Sequence, residues 1–161
     1  MKVTILGCGG SFGSPLAWQR YGNIDLSNKR NFRTRSSVLI EENKINILID
    51  TSPDLRSQLY NAKCTNIDAV LYTHIHSDHT AGLPDMRAMS LINNKIIPAY
   101  MPSIMIDDME KMYKYIFTGE KDYSPFMKII ELKDKTNFKD ILIETFKHNH
   151  GSIDVQTFRI E

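Results

Sequence analysis

Apolar and polar positions first follow the period of strands and later alternate between strand and helix patterns. The early pattern predicts a strand at residues 3–6 and a hairpin of strands 37–41 and 45–50, with 42–44 as the turn. Further strands are predicted at 69–72, 96–101, 126–132, 141–146 and 155–160. A strand-rich start followed by this alternation predicts an α/β domain in which helices cover the faces of a sheet.

Three helices are predicted between the later strands. Ser52 is expected to cap the first, with Pro53 at its first helical position. The second covers about 80–91, and the third begins with Ser103 as its cap and runs to about 115. Before the hairpin, residues 9–35 form a long polar segment whose anchors are expected to be Pro15, Trp18 and Tyr21; a loop of this length in a compact domain is usually functional.

Composition indicates one globular domain without a dominant charge. The chain has 161 residues, 42% of them hydrophobic and 24% charged. A net charge of +1 gives no general attraction to nucleic acid or membranes. Two cysteines, Cys8 and Cys64, form no disulfide framework, and no apolar run reaches the roughly 20 residues of a membrane span. With no signal peptide at Met1-Lys2, we expect a cytoplasmic protein that does not bind membranes.

Four potential metal ligands follow the short apolar strand at 69–72. His74, His76, Asp78 and His79 lie within six residues, in the order H-x-H-x-D-H. Imidazole and carboxylate are ligands that borderline divalent metals prefer, and a strand end can direct several side chains at one point. A surface loop in which Ser77 and Asp78 only cap a helix is the alternative. The density of ligands behind a buried strand favours a metal site.

This arrangement resembles the signature of the metallo-β-lactamase fold hydrolases. Residues 1–10 look like the first strand and Gly-rich turn of that family. Residues 31–40 and 47–56 are similar to the branch that contains the cyclic phosphodiesterase of the carbon–phosphorus lyase pathway. His150-Gly151 resembles the next metal-binding element of the family.

The resemblance implies an αβ/βα sandwich of two facing sheets with metals between them at one edge. It assigns His74 and His76 to the first metal together with a later histidine, which is His148 or His150. The family places this ligand directly before a glycine, which favours His150, and His148 is then expected to lie in the second shell or to be exposed. The family continues to a bridging aspartate and a last histidine, which do not occur in this sequence. We therefore expect a single incomplete domain, 1–161, with the C-terminal part of the fold missing. Such a chain would associate, as a homodimer or otherwise, through an exposed sheet edge.

The expected cofactor is a divalent metal, Zn or Mn, in one tight site. Asp78 and His79 would belong to a second, incomplete site, and the resemblance gives Asp78 the further role of proton acceptor. Asp50, at the end of its predicted strand, is either a second-shell acceptor for a ligand imidazole or a turn residue.

A cationic segment, residues 29–35, precedes the predicted hairpin. It contains Arg33 and Arg35, and it is either a solvated loop or a guide for an anionic substrate. With a metal site beside it, the guide favours a phosphodiester.

Three functions remain open. The first is a metal-dependent phosphodiesterase that hydrolyses a small cyclic or nucleotide-like phosphodiester with a metal-activated water. The second is a hydrolase of the same fold that acts on thioesters or tRNA 3′ ends. The third is an inactive or split-gene remnant that needs another chain for its missing ligands.

Overall fold

The described residues form nine strands in two sheets and five short α-helices. The computed structural model describes residues 1–18 and 22–161, so the predicted anchor Tyr21 lies outside the described residues. The large sheet has the order β1-β2-β3-β4-β5-β6 and the small sheet the order β7-β8-β9. The strands are β1 Lys2–Gly7, β2 Ser37–Glu42, β3 Ile45–Ile49, β4 Ala69–Leu71, β5 Ile97–Met101, β6 Met127–Glu131, β7 Lys135–Phe138, β8 Ile141–His150 and β9 Ile153–Ile160. The helices are α1 Leu55–Asn61, α2 Ser77–Thr80, α3 Met86–Ile92, α4 Ser103–Met112 and α5 Lys114–Phe117, with 3-10 turns at Lys29–Asn31 and Leu83–Asp85.

The large sheet changes from antiparallel to parallel along its width. β1, β2 and β3 pair antiparallel, whereas β3, β4, β5 and β6 pair parallel. Asn43 and Lys44 form the predicted hairpin turn, and both have positive φ (48° and 66°), as a two-residue turn between twisted strands requires. β4 therefore lies inside the sheet, and the loop that follows it leaves from the carboxyl edge of the parallel part.

Successive strand residues face two different cores, as the pleat requires. Leu48 and Val70 face the helices, in a core that Met109 of α4 helps to fill. Ile47 faces the other side, where Ile143 of β8 belongs to the same core. The described chain is thus layered as helices, large sheet and small sheet.

The first predicted helix begins later than expected. α1 starts at Leu55 with Asp54 as its N-cap residue, so the predictions that Ser52 caps it and that Pro53 is its first residue are wrong. Ser52 Oγ accepts the Asp54 N–H at 3.2 Å and donates to Oε1 of Gln58 at 2.8 Å. The hydroxyl therefore stabilises a turn that precedes the helix.

The second predicted helix, 80–91, is interrupted. It is divided into α2, the 3-10 turn Leu83–Asp85 and α3. Pro84 has no N–H to donate to a helical hydrogen bond. Gly82 N instead donates to Thr51 O at 2.9 Å, which connects the segment to the loop before α1.

The third helix and the small sheet also differ from expectation. Ser103 is the first residue of α4 and follows the extended Pro102, and the helix ends at Met112 because Tyr113 (φ −126°) leaves the helical region. β7 was not predicted, since its sequence Lys-Thr-Asn-Phe has few apolar residues. β8 extends to His150 because β9 pairs with it along that length. Trp18 is 51% exposed and so does not anchor its loop by burial.

β9 is an edge strand of the small sheet. Association through such an edge stays a prediction. None of the described helices has the length and apolar character needed to cross a membrane.

Gly82 provides a test of how the metal loop is packed. A Cβ on Gly82 would lie 2.0 Å from Ser52 O, whereas a Cβ on Gly10 would meet no atom within 4 Å. We expect Gly82→Ala to lower the free energy of unfolding by about 1–3 kcal/mol, because backbone must shift to admit the methyl group. Gly10→Ala, the matched control, should change it by no more than about 0.5 kcal/mol. Urea unfolding of the two variants makes the comparison, and equal stabilities would contradict this packing.

Candidate metal centre

The metal-ligand motif lies in the loop that follows β4. His76 directly precedes α2, which contains Asp78 and His79. Thr51 fixes the loop on its buried side. Its N–H donates to His79 O at 2.8 Å, and its Oγ1 lies 3.0 Å from the buried Tyr72 hydroxyl. The carboxyl edge of the sheet therefore presents all four motif side chains from one anchored turn.

A cluster of three histidines joins this loop to the small sheet. One ring nitrogen from each of His74, His76 and His150 lies within 4.8 Å of the others, and His74 Nε2 is 3.1 Å from His76 Nδ1. Tetrahedral ligands at zinc–nitrogen distances would be about 3.4 Å apart, so small side-chain movements suffice to hold an ion. Gln156 N donates to Thr73 O at 3.0 Å, which connects β9 to the loop beside the cluster. The donor set therefore fits a divalent metal.

His150, not His148, contributes to the cluster. The two residues are two apart in β8 and so have the same side-chain direction. His148 lies about 7 Å further back along the strand, by the rise of a β-strand, where it pairs with Val155. His150 ends β8, and Gly151 (φ +66°) begins the turn that returns the chain into β9.

Asp50 orients two of the histidines. Its Oδ2 lies 2.7 Å from His79 Nδ1 and accepts the Thr73 hydroxyl at 2.7 Å, while Oδ1 accepts the Thr73 N–H at 2.8 Å. Thr73 Oγ1 also lies 2.9 Å from His74 Nδ1. A threonine hydroxyl has one proton. Because Thr73 gives it to Asp50, His74 Nδ1 must donate, and Nε2 of His74 carries the lone pair that a metal needs.

The position between His74 and His76 is therefore the natural place for an ion. With the lone pair on His74 Nε2, the 3.1 Å contact is a hydrogen bond donated by His76 Nδ1. A metal ion that binds both nitrogens must displace that proton, as is general for metal binding to protonated ligands.

The electrostatics keep His74 neutral. Burial, followed by the charge of the neighbouring His79, lowers the pKa of His74 to about 4. Burial also acts to lower the pKa of His79, but its hydrogen bond to Asp50 and the charges of Asp50 and Asp78 outweigh this effect and raise it. Burial would raise the pKa of Asp78, yet a hydrogen bond from Ser11 and the charge of His79 lower it. At neutral pH, His74 is therefore uncharged and can bind a metal without first losing a proton. Asp78 is ionised at the same pH.

Asp78 and His79 form a second pair of ligands beside the cluster. His79 Nε2 lies 3.4 Å from Asp78 Oδ2, and the His79 ring centroid is 4.1 Å from that of His74. Asp50 holds Nδ1 of His79, so Nε2 is the nitrogen directed toward Asp78. Asp78 and His79 thus direct one oxygen and one nitrogen at a position beside the three-histidine cluster.

The cationic segment lies next to the Gly-rich loop. Arg35 Nε is 2.8 Å from Asp54 Oδ2, an ion pair that fixes the segment to the start of α1. Arg33 is exposed, and its guanidinium contacts only the Cys8 sulfur at 3.5 Å among the hydrogen bonds of the described chain. Of the two predicted substrate-binding residues, Arg33 is thus the one that could bind an anion.

Two residues of the site were not singled out from the sequence. Thr73 directly precedes the motif, and its position before the first histidine was the available signal. Ser11 contacts Asp78 from 67 residues away in the chain, and no local pattern indicates that contact.

Comparisons with known proteins found similarity in both sequence and fold. A family model described as the beta-lactamase superfamily domain matches residues 45–161. The octanoyltransferase of Porphyromonas gingivalis is 31% identical over 165 residues, which cover 99% of this chain and 33% of that protein. The crystal structure of a diphosphatase from the PhnP family matches with a TM-score of 0.83 and 26% identity, over 98% of this chain and 61% of that one. Zn²⁺-bound PqqB from Methylobacterium extorquens matches with a TM-score of 0.68 and 20% identity, over 100% of this chain and 62% of that one.

The cluster predicts one tightly bound divalent metal per chain. His76→Ala removes one of three ligands, and we expect it to weaken Zn²⁺ binding by more than about 100-fold, since loss of an outer-shell partner alone costs about 10–100-fold. His148→Ala is the matched control and should bind as the parent does. Elemental analysis gives the stoichiometry and calorimetry the affinity. Two tight equivalents per chain, or equal losses in both variants, would contradict this assignment.

Asp50→Asn tests the orienting carboxylate. The substitution removes the charge that holds the pKa of His79 up while leaving its burial unchanged, so that pKa should fall in the metal-free protein. Metal affinity should fall by about 10–100-fold, because Thr73 and His79 lose their common acceptor. NMR titration of the His79 ring measures the first effect. Asp54→Asn, which removes the partner of Arg35, should leave His79 unchanged; an unaltered His79 pKa in Asp50→Asn would refute the role.

Proposed function

Because the chain belongs to the beta-lactamase superfamily, we propose that it acts as a metal-dependent phosphodiesterase on small cyclic or nucleotide-like phosphodiesters. The observation that carries this proposal is the three-histidine cluster with Asp78 and His79 beside it. The similarity to a diphosphatase supports a phosphorus ester or anhydride as the bond that is cleaved. The chain spans 61% of the length of that diphosphatase and 33% of the length of the octanoyltransferase. A catalytic activity of this chain is therefore proposed and does not follow from the similarity alone.

In this mechanism the residues bind the metal, orient the ligands and accept a proton. A divalent metal, when bound by His74, His76 and His150, supplies a Lewis acid that activates water and polarises a phosphoryl oxygen. Asp50 and Thr73 keep the ligand nitrogens directed at it.

Asp78 is the proposed proton acceptor, since its lowered pKa keeps it ionised at neutral pH. The attacking water forms a new P–O bond and gives one proton to the Asp78 carboxylate. The bond from phosphorus to the leaving oxygen breaks, and that oxygen takes up the proton held by Asp78, which restores the carboxylate and gives an alcohol and a phosphomonoester.

Arg33 supports an anionic substrate. Its guanidinium has no ion-pair partner among the described residues, whereas Arg35 is paired with Asp54. A guanidinium binds phosphate oxygens through two parallel hydrogen bonds, which suits a phosphodiester better than a neutral ester.

A second candidate is hydrolysis of an acyl thioester. It is favoured by the similarity to an octanoyltransferase, which extends over 99% of this chain. The same three-histidine centre would serve either reaction, so only the substrate distinguishes them. Processing of tRNA 3′ ends and a requirement for a further chain that completes the second pair of ligands are the remaining possibilities.

Hydrolysis of bis(p-nitrophenyl) phosphate tests the proposal. We expect release of p-nitrophenolate that depends on added Zn²⁺ or Mn²⁺ and ends on chelation. Asp78→Asn should reduce the rate by about 100-fold or more, since it removes the proton acceptor and a ligand of the second pair.

Asp85→Asn is the matched control for Asp78→Asn, because Asp85 is an exposed carboxylate in the following 3-10 turn. It should retain the parental rate. Activity that survives chelation, or an unchanged rate in Asp78→Asn, would rule out the mechanism. Faster cleavage of octanoyl thioesters than of the phosphodiester would favour the second candidate.

A further inference from the structure

Three exposed aromatic rings lie together on the loops beside the metal centre. Phe12, Trp18 and Phe32 are 66%, 51% and 54% exposed, although large aromatic side chains are usually buried. Phe12 and Trp18 are in edge-to-face contact, with ring centroids 5.3 Å apart. Elsewhere in residues 1–18 and 22–161, only Tyr60 and Phe146 are exposed aromatic side chains of comparable size. Exposed apolar side chains that lie together in this way are typical of a binding surface.

Phe12 and Phe32 line one cavity together with Arg33, which has no ion-pair partner among the described residues, and with the Arg35–Asp54 ion pair. The cavity has a volume of about 320 Å³, and Gly13 also lines it. This volume is at the lower end of the range for small-molecule sites. The combination of flat apolar walls and a guanidinium matches a ligand that has a planar ring and an anionic group.

A single turn connects the cavity to the metal centre. Gly13 N donates to Gly10 O at 2.8 Å, so Ser11 and Phe12 are the two central residues of a β-turn. Ser11 acts on the Asp78 carboxylate and lowers its pKa, whereas Phe12 lines the cavity. Arg33 and Ser14 exchange two backbone hydrogen bonds, of 2.8 Å and 2.9 Å, which hold the cationic segment against the same turn. A residue that lines the cavity is therefore the direct chain neighbour of a residue that acts on the metal-site carboxylate.

We propose that this cavity binds the base of a nucleoside phosphate, so that the substrates of the metal centre carry a nucleoside. Phe32 and Phe12 stack on the base, and Arg33 binds a phosphate oxygen. This inference rests on the proposed function and narrows its substrate class. Stacking on aromatic side chains is tolerant of base identity, so adenine and other bases should both bind.

The fluorescence of Trp18, the only tryptophan of the chain, can report binding in the cavity through its contact with Phe12. Titration of the chelator-treated protein with AMP should quench Trp18 fluorescence in a saturable manner, and ribose 5-phosphate should not displace AMP at equal concentration. Phe32→Ala should weaken AMP binding by about 5- to 100-fold, the range that base–aromatic stacking gives, and Phe32→Tyr should restore it. Arg33→Gln should weaken binding of AMP but not of adenosine.

Tyr60→Ala is the matched control, because Tyr60 is an exposed aromatic residue of α1 that does not line this cavity. Its AMP affinity should equal that of the parent. Absence of a saturable quench, equal displacement by ribose 5-phosphate, or equal affinities in Phe32→Ala and Tyr60→Ala would overturn the inference. Hydrolysis of bis(p-nitrophenyl) phosphate without AMP binding refutes only the nucleoside site. AMP binding without any hydrolysis refutes only the proposed function.

Discussion

The candidate centre depends on the hydrogen bonds that the Asp50 carboxylate accepts. This carboxylate binds the Thr73 backbone and hydroxyl and faces His79, so one buried group orients histidines directed at two adjacent ligand positions. Asp50 has a positive φ of 59°, a conformation that is rare for residues other than glycine, asparagine and aspartate. The carboxylate offsets that local cost by satisfying three donors. The end of β3 is thereby joined to the end of β4.

The fold brings distant segments to the candidate centre from three directions. The parallel pairing of β3 with β4 places Asp50 beside Thr73. The small sheet packs on the opposite core face, and its β8–β9 hairpin delivers His150. The turn at Gly10–Gly13 adds Ser11 and the aromatic wall formed by Phe12. The proposed metal chemistry and the proposed substrate recognition thus involve different loops on one edge of the sheet.

Sequence patterns predicted the strands and the metal-ligand motif, which depend on neighbouring residues. They could not predict contacts between residues that are far apart in the chain. The resemblance to the metallo-β-lactamase fold hydrolases is confirmed by the family match and by the similarity to solved structures, and most strands are confirmed within a few residues. The break in the helix after Thr80 had a local signal in Pro84, whereas the close approach of Gly82 to the backbone of Ser52, 30 residues earlier, had none. His148 and His150 have the same strand parity, so only the position of the hairpin turn separates them.

X-ray absorption at the zinc edge of the Zn²⁺-loaded protein tests the three-histidine centre most directly. The account predicts three imidazole nitrogens at about 2.0–2.1 Å and no sulfur, with His150→Ala reduced to two imidazoles. A zinc–sulfur distance of about 2.3 Å would place Cys8 on the metal and contradict the account. Fewer than three imidazoles in the parent protein would contradict it as well.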